Sequence, residues 1–216
     1  MRACKEAGFI CTTANFPEAG PHVLRQIDDW NNDPNVHGII VQLPAPNSDV
    51  YTAFIAGHKD VDGLQKGSVF TPCTAKGVMH MLNTIYEDGA GKHAVVVGRS
   101  ELVGRPLASL LLNKNYTITV CHSKTQDLAS ITRTADVLVS ATGVPHLIKG
   151  DMIKPGSVVI DVGINKLGDK TVGDVCFEEA KDIAGCITPV PGGVGPMTVA
   201  MLLENTREAF EQRDVF

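Results

Sequence analysis

Three observations predict an α/β fold of two lobes: a doubly wound parallel sheet and a smaller α/β companion. Short β-rich runs alternate with helical patterns along most of the chain, as strand–helix units with right-handed crossovers require. The runs are continuously apolar rather than alternating, which marks parallel strands covered on both faces. A polar, Gly-rich break, EDGAGK at 87–92, interrupts the alternation and has the composition of a domain boundary.

Taken in order, the first expected helix lies near 21–30, followed by the apolar strand GIIVQL (38–43) and a helix near 74–86. These occupy a smaller lobe of residues 1–88. After the break come HAVVVG (93–98), a helix at 104–113, TITVCH (117–122), a helix at 125–134, DVLVSAT (136–142), SVVIDVG (157–163) and a helix at 176–183. Residues 89–190 therefore read as a nearly complete dinucleotide-binding domain of the Rossmann type. Residues 191–216 supply a Gly-rich loop and a closing helix from about 197 to 212.

Composition narrows the function. With 216 residues, 44% hydrophobic and 20% charged, the chain is an ordinary globular protein of one large or two small domains. A formal net charge of −5 argues against nucleic-acid and membrane-surface partners, since neither polyanion would attract it. Six cysteines (Cys4, Cys11, Cys73, Cys121, Cys176 and Cys186) are scattered without a CxxC pair, which gives a zinc site or a redox dithiol little support. Several sit in apolar runs, as buried reduced thiols of a cytoplasmic protein would. No histidine pairs with a second histidine or an acid at metal-ligand spacing, so no metal is expected. No apolar run reaches membrane-spanning length, and MRACKEAGF does not have the pattern of a secretory leader.

The segment HAVVVGRSELVGRP puts Gly98 at the end of a buried strand and Gly104 at the start of a helix. That is the position of a dinucleotide phosphate loop, although G-x-x-x-x-x-G departs from the usual G-x-G-x-x-G. Arg99 and Ser100 follow this strand, and His122, Ser123 and Lys124 sit at the end of the next. In a doubly wound sheet the second strand end reads the adenosine ribose, where an acid would bind the hydroxyls of NAD. Here the groups are basic or neutral and suit a 2′-phosphate, which favours NADP. Lys124 is equally well read as a solvated surface lysine. Ala141-Thr142-Gly143 and Gly163-Ile164-Asn165 end later strands and are expected to line the nicotinamide end.

A second loop is more particular still. ITPVPGGVGPMTVAMLL (187–203) runs from an apolar strand end through two prolines and three glycines into an amphipathic helix. Gly192, Gly193 and Gly195 carry no Cβ to hold a ligand away from the backbone. Pro196 suits the first turn of a helix, whose free amides can receive a carboxylate, a phosphate or a polar ring edge. Taken as a bare loop, it is equally a tight strand-to-helix turn.

PVPGGVGPMT resembles the signature of the bifunctional methylenetetrahydrofolate dehydrogenase/methenyltetrahydrofolate cyclohydrolase (FolD) family. VHGIIVQLP (36–44), KDVDGL (59–64), PCTAKG (72–77), HAVVVGRSELVGRP (93–106), TVCHSKT (119–125) and DVGIN (161–165) resemble further blocks of that family, in its order. The resemblance implies that Gly98, Arg99, Ser100, Ser123 and Ile164 contact NADP. It implies that Asp62 binds the amidine edge of a pterin, where a carboxylate is the natural bidentate partner; without the family, Asp62 would read as a turn aspartate before Gly63. Gln42, matching a glutamine that hydrogen-bonds the catalytic lysine, is expected as a buried amide at a strand end. Val41 and Leu43 would contact folate. Pro191, Gly192, Gly193, Val194 and Gly195 would offer backbone contacts to the substrate. Thr198 is either a ligand contact or a helix N-terminal hydroxyl.

The family's catalytic segment reads Y-x-x-x-K-x-K-A, and Met1-Arg2-Ala3-Cys4 matches its end. The catalytic lysine is thereby expected immediately before Met1, with the tyrosine four residues further upstream, so the smaller lobe reads as N-terminally truncated. The resemblance implies NADP-dependent oxidation of 5,10-methylenetetrahydrofolate to the methenyl form. Hydrolysis to 10-formyltetrahydrofolate would then rest on that upstream lysine. It also implies tetrahydrofolate derivatives as partners and a homodimer formed through the cofactor lobes. Two other readings explain less of the chain. One is a non-catalytic NADP-binding fragment. The other is a two-lobed dehydrogenase like shikimate dehydrogenase, which leaves KDVDGL and PVPGGVGPMT without a ligand.

Overall fold

The computed structural model describes residues 2–212; Met1 and 213–216, the extremities of the first and last expected segments, lie outside them. In chain order the elements are α1 (Arg2–Glu6), α2 (Pro21–Asn32), α3 (Ser48–Phe54), α4 (Cys73–Asn83), β1 (His93–Val97), α5 (Gly104–Asn113), β2 (Thr117–Cys121), α6 (Leu128–Thr132), β3 (Val137–Ser140), a 3₁₀ turn (Gly150–Met152), β4 (Val158–Asp161), β5 (Asn165–Leu167), β6 (Lys170–Val172), α7 (Phe177–Ala180), β7 (Cys186–Ile187) and α8 (Val194–Glu211). They fall into two compact units. One comprises residues up to Cys73 with those from Val199 onward; the other is Thr74–Thr198.

The second unit holds a five-stranded sheet of order β2-β1-β3-β4-β7, with every pairing parallel. The sheet is parallel because each strand is followed by a crossover, and both faces are covered because β1, β3 and β4 are apolar at nearly every position. Val95, Val96, Leu138, Val139 and Val159 are fully buried; each such side chain contributes roughly 1.5–3 kcal/mol on burial. One face packs Ala75, Val78, Leu82, Leu107 and Leu111 against Ala94, Val96, Val137, Val139 and Ile160. The other packs Ile148, Ile153 and Ala180 against Val95, Val97, Leu138 and Val159. The α4 stripe thus belongs to the sheet, and the 88–92 segment is a turn inside this unit rather than its edge. An antiparallel pair, β5–β6, carries the chain from β4 towards α7.

In the first unit α2 and α3 enclose Ile27, Ile39, Tyr51 and Ile55, and Val61, Phe70 and Ala209 form a second cluster. The expected strand 38–43 is reduced to one parallel bridge, Ile39 with Asp60, closed by Ile39 N–H donating to Lys59 O at 2.7 Å. A ladder needs a neighbouring strand, and among the described residues only the Lys59–Asp60 turn lies beside this run. Elsewhere the differences are of extent. Helix 125–134 shortens to α6, where the Asp127 side chain accepts from Ser130 N–H, and 176–183 shortens to α7. Helices α1 and α3, the β5–β6 pair and the short β7 carry too few residues for a periodic signal.

Candidate functional site

In the second unit the carboxyl ends of the parallel strands lie in a row. Gly98 N–H donates to Cys121 O at 2.9 Å, Ala141 N–H to Val97 O at 2.8 Å, and Val162 N–H to Ser140 O at 2.8 Å. The segments after β1, β2, β3 and β4 therefore share one edge, where ligands of open α/β sheets bind. The unusual loop spacing has a steric basis. Gly98 has φ +125°, and a Cβ there would meet Ala141 O at 2.3 Å; a Cβ on Gly104 would meet Gly98 O at 2.1 Å. Gly104 lets α5 close directly onto the end of β1, and Gly98 lets that end lie against the segment after β3. Ser100 Oγ accepts from Val103 N–H at 3.2 Å, so this hydroxyl caps the entry to α5. Arg105 Nε donates to Arg99 O at 3.2 Å.

At the end of β2 the segment 122–125 folds on itself. His122 N–H donates to Thr125 Oγ1 at 2.9 Å, Thr125 N–H to His122 O at 2.8 Å, and Lys124 N–H to His122 Nδ1 at 3.2 Å. Arg99, Ser100, Ser123 and Lys124 are all exposed, and no acid stands among residues 122–125.

Ile164, 68% exposed, stands on the wall of a shallow, solvent-open hollow of about 90 Å³. Asp161–Ile164, Thr171 and the Pro189–Pro196 segment line it. The Gly-rich loop thus contributes Pro191, Gly192, Gly193, Val194 and Gly195 to one wall. Helix α8 begins at Val194, three residues earlier than expected, and so draws Val194 and Gly195 into its first turn. Thr198, the fifth residue of α8, donates its Oγ1 hydrogen to Val194 O at 3.1 Å and has Thr74 Oγ1 at 3.2 Å.

Two carboxylates near this hollow carry no expectation from the sequence. Asp161 is 3% exposed and Asp174 is 0% exposed. Burial raises the Asp161 carboxyl above the ordinary range against the pull of hydrogen bonds from Val175, Asp174 and Gly163. Their signal in the sequence is faint: two Asp residues beside glycines, in IDVGIN and VGDV, with nothing along the chain to say that they meet.

In the first unit Asp62 is half-buried. Burial raises its carboxyl above the ordinary aspartate range, the neighbouring Asp60 charge adds to this, and a hydrogen bond with Cys73 opposes it. Asp60 is 1% exposed and accepts from Gln65 N–H at 2.7 Å, so it is built into the turn. The backbone beside Asp62 is held from below by Asn205, itself buried, whose amide donates to Val61 O at 2.9 Å and Thr71 O at 3.1 Å. The expectation for Gln42 needs correcting. It is exposed, not buried, and its amide donates to the adjacent Leu43 O at 3.0 Å. Among the described residues no ladder along 38–43 encloses it. Val41 and Leu43 are half-buried, with Val41 packed against the Ile27–Ile39–Tyr51–Ile55 cluster. Of the cysteines, Cys73 and Cys121 are buried, while Cys11 and Cys186 are exposed. Among the described residues no group of three or more His, Cys, Asp or Glu side chains is placed to hold a metal, and no helix is long and apolar enough to cross a membrane.

Comparison with known proteins places this geometry. Residues 1–62 match the catalytic domain of tetrahydrofolate dehydrogenase/cyclohydrolase, and residues 72–214 match the NAD(P)-binding domain of the same enzymes. The bifunctional protein FolD of Moorella thermoacetica is 52% identical, over 96% of this chain and 80% of its own length. The cytoplasmic C-1-tetrahydrofolate synthase of Schizosaccharomyces pombe is 49% identical over 96% of the chain, which spans only 25% of that longer protein. Among solved structures, the Trypanosoma brucei methylenetetrahydrofolate dehydrogenase-cyclohydrolase complexed with NADP and an inhibitor superposes with a TM-score of 0.91 at 37% identity, over 98% of this chain and 80% of that one. With two family domains in tandem and relatives of this identity, the chain belongs to the tetrahydrofolate dehydrogenase/cyclohydrolase family.

Proposed function

We propose that this chain uses NADP to oxidise 5,10-methylenetetrahydrofolate to the methenyl form, in one-carbon metabolism. The supporting observation is the β1–β2 carboxyl edge. Gly98 and Gly104 clear the backbone there, and Arg99, His122, Ser123 and Lys124 stand at the ribose position with no acid among residues 122–125. A phosphate loop that a Cβ would fill and a cationic ribose end together fit NADP, not NAD. When bound, NADP accepts a hydride from the one-carbon bridge.

The chain's own residues bind and orient, which is most of what a hydride transfer asks of a protein. Asp62 accepts hydrogen bonds from the pterin amidine edge in its ionised form, Val41 and Leu43 supply apolar contact, and the Pro191–Gly195 backbone offers polar groups. Hydrolysis to 10-formyltetrahydrofolate makes a separate demand, because it needs a group that moves a proton. Lys59 is buried and its ammonium is lowered in pKa by burial. It is nevertheless committed: Nζ donates to Trp30 O at 2.9 Å and Asp33 O at 2.7 Å, which closes the carboxyl end of α2. Lys59 is therefore not the group that moves this proton. The assembly is a homodimer, and the compartment is cytoplasmic, as in the fission-yeast relative's name.

The test is the cofactor preference and its reversal. Purified protein is expected to turn over methylenetetrahydrofolate with NADP at a kcat/KM at least about tenfold above that with NAD, the worth of one charge-assisted contact. Ser123→Asp is expected to invert the ratio by like-charge repulsion of the 2′-phosphate. Equal use of both cofactors, with no response to the substitution, would remove the assignment.

A further inference from the structure

We infer that Asp174 is a positioning residue which, with Asp161, fixes the two strand-end loops that the nicotinamide ring is to lie against. The inference rests on the NADP reading above and extends it to residues that touch no ligand. Its basis is a reciprocal pair of contacts. A Cβ on Gly163 would lie 2.1 Å from Asp174 Oδ1, and a Cβ on Gly173 would lie 1.8 Å from Asp161 Oδ2. Each carboxylate therefore occupies the space left by a glycine beside the other, and the two segments interlock with no room for any side chain between them.

The hydrogen bonds have the same logic. Asp174 Oδ2 accepts from Ser140 Oγ at 3.2 Å, Thr142 N–H at 2.6 Å, Thr142 Oγ1 at 2.9 Å and Gly143 N–H at 3.2 Å. Its Oδ1 accepts from Asn165 Nδ2 at 2.9 Å. One oxygen thus fixes the turn after β3, and the other fixes the residue after Ile164. Asp161 accepts from Gly163 N–H at 3.0 Å, Asp174 N–H at 3.0 Å and Val175 N–H at 2.9 Å, which shapes the turn after β4 and seats Asp174 itself. Ser140 and Asn165 are buried, so releasing either would leave a buried polar group unpaired, and the five donors together favour one arrangement of the carboxylate. Ile164, held between Gly163 and Asn165, is left exposed on the wall of the hollow. Local propensity does not demand this; a plain turn after each strand would serve a sheet that bound nothing.

Three variants of the full chain test the role: Asp174→Ala, Asp174→Asn and Thr142→Val. Asp174→Ala is expected to lower kcat/KM for NADP by about 10²-fold, the cost of a misplacement near 1 Å, mostly through kcat. Binding of adenosine 2′,5′-bisphosphate, which engages only the β1–β2 end, is expected to stay within about twofold. Asp174→Asn keeps an acceptor for the four donors, and a turn of the Asn165 amide restores the fifth, so it should recover at least tenfold of the loss. Thr142→Val removes one donor without changing shape, keeps the protein folded should the alanine variant collapse, and should cost several-fold in kcat. Amide hydrogen exchange of the ligand-free protein is expected to quicken at Thr142, Gly143 and Gly163 in Asp174→Ala, with β1 unchanged. The inference fails if exchange there is unaltered, if kcat holds in both Asp174→Ala and Thr142→Val, or if bisphosphate binding falls in step with kcat. Failure of the unmodified chain to bind either NADP or the bisphosphate would instead overturn the cofactor assignment, and the exchange rates would still decide the role of Asp174.

Discussion

Substituting Gly104 by alanine tests whether the spacing of the phosphate loop is a packing requirement. The added Cβ would lie 2.1 Å from Gly98 O, 2.6 Å from Gly98 C and 2.9 Å from Arg99 Cα. All three are backbone atoms, so no side chain can swing aside. Ordinary contact begins near 3.4 Å, which requires α5 and the β1 end to part by about 1 Å against close-packed surroundings. Overpacking of this kind costs roughly 1–3 kcal/mol. Alanine returns part of about 1 kcal/mol through its helix propensity, less than the full value because Gly104 is the first residue of α5. The net is a destabilisation of about 1–2 kcal/mol, a fall of roughly 2–8 °C in Tm for a chain of this size. The functional effect should exceed the structural one, since the displaced loop is the one proposed to meet the phosphates: about 10²-fold in kcat/KM for NADP. Thermal unfolding and steady-state kinetics of the same preparation check both. An alanine variant with unchanged Tm and kcat/KM would show that α5 does not close on Gly98 as described.

Two further outcomes follow from charge. Asp62 is raised by burial above the ordinary aspartate range, and only its ionised form accepts both amidine protons; kcat/KM for the folate should therefore fall as pH drops through a value above that range. Asp62→Asn should remove this acid limb and cost roughly 10–100-fold in kcat/KM for the folate, the worth of a charged hydrogen bond; a pH profile of both proteins checks it, and coincident profiles would count against Asp62 as the recognition group. Asp136 is displaced the other way, held below the ordinary range by the His93 N–H at 2.8 Å and then by Lys154 Nζ at 2.7 Å. A depressed carboxyl stabilises the fold above its unfolded pKa and loses that contribution as pH falls through the folded one. With side chains 26% and 44% exposed, Asp136→Asn should cost about 1 kcal/mol at neutral pH. Its Tm should converge on that of the unmodified protein in acid, and a gap that stays constant with pH would refute the sign.

Much of this was legible along the chain because its signals are local. Continuous apolar runs such as Ala94–Val97 and Val137–Val139 leave a strand no exposed face, and the sheet has the parallel order expected of them. Gly98 and Gly104 marked the loop because close backbone approach admits no other residue. Legibility failed where the determinant is another part of the chain. GIIVQL has the composition of a strand but, among the described residues, makes a single bridge, Ile39 with Asp60. Its length as a strand is set by neighbours that no periodicity encodes, and the exposure of Gln42 follows from that. The same holds for α4. Its apolar stripe looks alike whether it faces one lobe or the other, and only packing against Leu107 and Val137 assigns it. Asp174 is the extreme case, a residue whose meaning lies in donors from Ser140, Thr142, Gly143 and Asn165.

The two ends of the sheet edge divide the electrostatic work in a way that one chain can sustain. A 2′-phosphate at β2 requires that no uncompensated negative charge stand near it, yet two carboxylates are buried further along, Asp161 in β4 and Asp174 after β6. The conflict is relieved by how they are held. Asp174 faces five N–H and O–H donors and Asp161 three, so each charge is met by converging dipoles and projects little field beyond its own turn. Surface carboxylates at the same positions would be solvated and free to move, and would neither set the turns nor leave the ribose end cationic. Burial of the acids and exposure of Arg99 and Lys124 are thus two parts of one requirement. The edge holds its loops through Asp161 in β4 and Asp174 after β6, while Arg99 and Lys124 stand exposed after β1 and β2.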